Sequence, residues 1–146
     1  MAKTKYILPM VGSYEGDEPY VYATYSKKDT EVVANILAIA RKSGARISFD
    51  PRYLDGAILL IAFISRNTVH DQKARRDILL ARSLFMDVVC FYIDDSYLGK
   101  EKENEYKFAR YIRLNEVSIL QYGPTLLSIL PRDVFPGPPR EVKKDS

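Results

Sequence analysis

The chain has no tryptophan, one cysteine (Cys90) and one histidine (His70) among its 146 residues. A single cysteine excludes an internal disulfide and a thiolate metal site, and a reducing cytoplasm is the expected compartment. His70 has no partner pattern for a triad or a metal and reads as a loop residue. Long apolar runs are absent too. The longest, Ala57 to Ile64, is far below the ~20 residues that span a bilayer. The opening MAKTKYILPM carries two lysines, but Pro9 breaks its apolar run and no small-residue cleavage site follows. It is not expected to be a signal peptide. A dominant charge is missing as well: 22 Lys and Arg face 19 Asp and Glu, giving a net charge of +3. The basic residues are spread over both halves, which argues against a dedicated nucleic-acid or membrane surface.

What is present suits one globular domain. Apolar residues make up 47% and charged residues 28%, sufficient for a core. Residues 1–18 hold Pro9, Gly12 and Gly16 with several charges, and read as an extension, packed loosely or as a short edge strand. The domain is expected over 19–130. From Pro131 onward a proline-rich charged tail is expected to be disordered, and Pro136 to Pro139 meets the minimal PxxP pattern, a common chance match. Tyr20 to Ser26 alternates as a strand. Val32, Val33, Ile36, Leu37 and Ala40 then recur at helical spacing, with Gly44 as the stop. Arg46 to Asp50 is a short strand, and Ala57 to Ile64 is a strand covered on both faces. A helix follows from about Asp71 to Phe85, then a strand from Asp87 to Ile93. Residues 101–113 predict an amphipathic helix, Val117 to Gln121 a strand, and Pro124 to Leu130 a last short helix. Alternating strands and helices indicate an α/β fold with a mostly parallel sheet, flavodoxin-like in size.

The stretch Phe63 to Ala81, FISRNTVHDQKARRDILLA, runs from a buried strand through a polar turn into a helix. In open α/β sheets ligands bind at the carboxyl ends of the strands, so this corner is a natural site. FIS, Asn67 in a polar loop and an Arg-Arg-acid-Ile run resemble the pattern of TIR (Toll/interleukin-1 receptor) domains. YVYATYSKKD resembles the family's first box, Phe49-Asp50 its aromatic-Asp pair, and CFYIDD the end of its fourth strand. The resemblance covers roughly Pro19 to Leu98, more weakly to Leu130. It implies a TIR-like fold, NAD as substrate, glycohydrolase or cyclase activity in signalling or bacterial defence, and partners that are TIR domains or further copies of the chain. No tightly bound cofactor and no metal is implied.

Residue by residue, the resemblance puts Asp77 at the catalytic position, where one carboxylate would stabilise a cation-like ribose. Ser26, Lys27 and Lys28 would lie near the phosphates, helped by the amide groups of a helix start. Asp50 could contact a ribose hydroxyl. Two departures stand out. Enzymatic members carry glutamate, with tryptophan four residues earlier; here those positions are Asp77 and Lys73. A displacement of ~1 Å can cost about 100-fold in rate. Members also carry a long loop and helix between the second and third strands, where this chain has only PRYLDG, Pro51 to Gly56. A parallel crossover usually needs about a dozen residues. Either the second strand is displaced into the connection, or it is not parallel to the third. A lost helix would also bare apolar sheet, an invitation to self-association.

Plainer readings stand beside these. Asp77 can be a surface acid pairing with Lys73, four residues before it. Ser26 to Asp29 can be a helix cap, and Cys90 an inert core residue. Lys73, Arg75, Arg76 and Arg82 can be a solvated helix face. Three functions remain open: an NAD-cleaving enzyme, a catalytically degenerate TIR-like interaction module, and a receiver-like phosphoacceptor. The last lacks an acidic pair after the first strand, where Ser26-Lys27-Lys28 stands.

Overall fold

The computed structural model describes residues 13–94, 105–113 and 121–136. Among these residues five strands form one sheet: β1 (Val21–Thr24), β2 (Ile47–Ser48), β3 (Leu59–Ile64), β4 (Asp87–Tyr92) and β5 (Arg110–Arg113). Their spatial order is β2-β1-β3-β4-β5 and every pairing is parallel. That is the flavodoxin-like order, whose chain reversal beside β1 opens a crevice at the carboxyl ends of the strands.

Period-two alternation divides the core between the two faces of the sheet. Val21, Leu59, Ile61, Phe63 and Phe91 point to one face, under the helices α1 (Thr30–Lys42) and α3 (Tyr122–Ile129). Tyr22, Leu60, Ile64, Val88 and Cys90 point to the other, under α2 (Gln72–Ser83). β3 is buried along its whole length, as its unbroken apolar run requires. Gly44 ends α1 as expected. It sits at φ +93°, and the amide of Ala45 donates to the Ala40 carbonyl at 3.1 Å.

The short crossover has a simple geometric basis. β2 pairs only with Val21 and Tyr22, and Leu59 of β3 is level with the same Val21. The chain therefore returns over two residues of strand, and residues 49–58 suffice. The second strand is parallel to the third after all, and occupies the edge beside β1. Pro51–Gly56 forms a 3-10 turn whose Leu54 is buried against the face of β1 and β3 that holds Tyr22 and Leu60. The part of the sheet next to β2 is thus covered, contrary to the expectation of a bare one. Tyr20 locks the turn down by donating to the Tyr53 carbonyl at 2.6 Å.

Two other expectations change, and a third lies mostly outside the described residues. Residues 110–113 are the edge strand β5 rather than the end of a helix, while residues 101–104 lie outside the described residues. Most of the strand expected at Val117 to Gln121 also lies outside them, and Gln121 itself caps α3. Packing runs on past Leu130, where a loose tail was expected. Val134 is fully buried, and its carbonyl accepts from the Arg46 amide at 2.9 Å. Residues 137–146 and the first twelve lie outside the described residues, and with them most of the PxxP motif. At the other edge, the Tyr14 amide donates to the Ile47 carbonyl at 2.9 Å, so the N-terminal extension flanks β2.

Candidate functional site

The carboxyl ends of β1, β3 and β4 are stitched together by polar side chains. After β1, the Ser26 hydroxyl accepts from the Lys28 amide at 3.2 Å and caps the 3-10 turn Lys27–Asp29 that leads into α1. Asp29 follows, buried. Its carboxylate accepts from the Ser65 hydroxyl at 2.5 Å and from the Asn67 amide group at 2.7 Å, both just beyond β3. The Asn67 backbone amide in turn donates to the Ser65 hydroxyl at 3.0 Å. Beyond β4, Asp94 accepts from the Arg66 amide at 2.9 Å. A buried carboxylate must be paired or hydrogen-bonded, and Asp29 meets that requirement with neutral donors. Sequence reasoning read Asp29 only as a cap element. The FIS-Asn pattern contained its partners, but nothing in the spacing joins position 29 to 65 and 67.

Asp77 lies one layer below. Asp71 caps α2, accepting from the amides of Lys73 and Ala74 at 2.9 and 3.2 Å. A turn later Asp77 faces the sheet, with 5% of its surface exposed. Its Oδ2 accepts from the Thr24 hydroxyl at 2.7 Å and from Lys73 Nζ at 3.0 Å. The Lys73 pairing is the one that four-residue spacing predicts, yet the acid is buried, not on the surface. Lys73 Nζ also sits 3.5 Å from the Thr24 hydroxyl and 6.0 Å from the centre of the Tyr22 ring. The Tyr22 hydroxyl is buried without a hydrogen-bond partner among the described residues. Burial first, then the charge of Asp77, push its phenol far above the ordinary value.

Above this cluster opens a cleft of about 450 Å³, lined by Tyr25, Lys27, Thr30, Phe49, Asp71 and Lys73. Two aromatic rings and two ammonium groups suit a planar, anionic ligand in general terms. Burial pushes the Tyr25 phenol up to about 12. Of the residues expected at a site, Lys27 lines the cleft. Ser26 is committed to its cap, and Lys28 is exposed outside the lining. Asp50 is engaged elsewhere: it caps the Pro51–Gly56 turn and holds the Arg52 guanidinium at 2.5 Å. That hydrogen-bonded partner keeps the Asp50 carboxyl below its usual range. Asp77 is not in the lining and connects with the cleft through Lys73.

Among the described residues, no group of His, Cys, Asp and Glu could hold a metal ion. No described helix is long and apolar enough to cross a membrane. No protein-family model matches the chain, and no curated protein matches it by sequence.

Proposed function

We propose that the chain is a catalytically degenerate TIR-like module that acts by binding other protein chains rather than by cleaving NAD. The observation that carries this reading is the state of Asp77. A carboxylate that stabilises a ribosyl cation must touch the sugar and present uncompensated charge to it. Asp77 is 5% exposed, is bonded to Thr24, and has an ammonium group 3.0 Å away. Shortening the side chain from glutamate to aspartate draws the charge toward the helix, and lysine in place of tryptophan neutralises it there.

The second reading is an NAD glycohydrolase or cyclase, and the cleft beside Lys73 favours it. Its aromatic and cationic lining is of a kind that could hold a nucleotide, with Lys27 and Lys73 toward phosphate. Turnover would then require Lys73 to swing away and Asp77 to reach past it.

Incubating the purified protein with NAD, at high concentration and with a crowding agent, separates the two. The expected result is no nicotinamide release from the wild type or from Asp77→Ala. Release that disappears in Asp77→Ala would establish the enzyme and overturn the degenerate reading.

A further inference from the structure

Two flanks of α2 meet different neighbours. Lys73 and Asp77 touch β1, whereas Arg75 and Arg82 meet Glu105 and the Phe108 ring on the far side. Lys73, Asp77, Leu80 and Leu84 follow one another at i, i+4, i+7 and i+11 and so share the flank toward β1. A parallel crossover from β2 to β3 ordinarily lays a helix along that flank. Here the Pro51–Gly56 turn stands in its place. The turn touches α2 and covers β1 with Leu54, but it leaves Leu80 43% and Leu84 42% exposed. Ile58, two residues before Leu60 and therefore on the same face, is 39% exposed.

The strip ends in an unusual residue. Phe85 has φ +60°, and the residue is 96% exposed. The Phe85 amide donates to the Arg82 carbonyl and the Met86 amide to the Ala81 carbonyl, both at 3.0 Å. This is a Schellman ending with phenylalanine where α1 uses Gly44. A bulky residue in the left-handed region is strained, and an exposed ring forgoes burial. Both costs fall on one side chain, and the monomer recovers neither.

We infer that this strip is a homotypic interface, in which a second copy of the chain docks antiparallel along α2. The charges choose the occupant. Exposed Arg76 marks the end of the strip nearer the start of α2. Exposed Asp55, on the turn held down by Tyr20, lies over the amino ends of the strands, where α2 finishes. A two-fold axis through the middle sets Leu80 of one copy against Leu84 of the other, and Arg76 against Asp55. Such a surface is self-complementary. A parallel arrangement would oppose arginine to arginine.

The inference rests on the binding reading above for its role. Its test contains no NAD, so either can fail alone. Sedimentation of the full chain across a concentration series should show a monomer–dimer equilibrium. Leu84→Glu should weaken it by roughly tenfold or more, as expected for a charge in the centre of an interface. Phe85→Gly should weaken it as well, yet raise the melting temperature of the monomer, because glycine relieves the backbone strain. Arg76→Asp and Asp55→Arg should each weaken the dimer, and together restore it. A monomer at every concentration would overturn the proposal, as would a dimer indifferent to Phe85→Gly or a double exchange without recovery.

Discussion

At the scale of single residues, the polar groups near the carboxyl ends of the strands are largely consumed by one another. Asp29 holds Ser65 and Asn67, Asp77 holds Thr24 and Lys73, and Asp50 holds Arg52. Local spacing made the Lys73–Asp77 pair legible. It could not show that the pair is buried, because Thr24 and Tyr22 arrive from about fifty positions away and only the fold brings them close. Tyrosines wholly or partly buried form the other set of residues with chemical consequences. Burial raises Tyr25 and Tyr106 from the ordinary 10 to about 12, and Tyr22 further. A raised phenol favours the neutral form in the fold, so its contribution to stability is complete below about pH 10. It is then lost as pH climbs through the folded value. Absorbance titration should show Tyr25 and Tyr106 ionising only toward pH 12, as the fold is lost. Ionisation of Tyr25 and Tyr106 near pH 10 with the fold intact would contradict this burial.

At the scale of elements, the sequence was readable wherever one periodicity prevailed. The buried run of β3 and the apolar stripe and glycine stop of α1 announced themselves. β5 did not. Its four residues, Arg110 to Arg113, include two arginines and follow a charged stretch that is rich in helix formers. Hydrogen bonds to β4 decide its state, and tertiary pairing of that kind overrides local propensity. The crossover was misjudged for a related reason. Its required length depends on where β2 stops along β1, a matter of register that local sequence does not display. The Pro51–Gly56 turn stands where a parallel crossover ordinarily has a helix, and Leu54 is its buried residue in the core. Leu54→Ala should cost about 2–4 kcal/mol in denaturant unfolding, within the usual range for a buried leucine. A cost below ~0.5 kcal/mol, typical of a surface change, would mean that the turn does not cover the sheet.

At the scale of the whole molecule, a flavodoxin-like sheet opens a crevice and joins β2 to β3 by a turn without a helix. The short connection leaves an apolar flank on α2 partly exposed, and Asp77, the acid expected to do chemistry, is buried in hydrogen bonds to Thr24 and Lys73. Both features support the proposed binding module over the NAD-cleaving enzyme. Central to this account is the claim that Asp77 serves the fold, and its effect on stability tests that claim most directly. Enzymes commonly hold catalytic groups at some expense to stability, so replacing one tends to leave the protein unchanged or firmer. A structural acid behaves in the opposite way. Removing it deprives the Thr24 hydroxyl and the Lys73 ammonium group of their shared partner. Lys73 keeps 41% side-chain exposure, so water absorbs part of the loss and the expected cost is about 1–3 kcal/mol. Urea unfolding of the wild type and of Asp77→Ala is therefore the decisive measurement. A clear drop in midpoint at unchanged slope is the predicted result. Equal or greater stability in Asp77→Ala would contradict the account and return Asp77 to the role of a residue kept for chemistry.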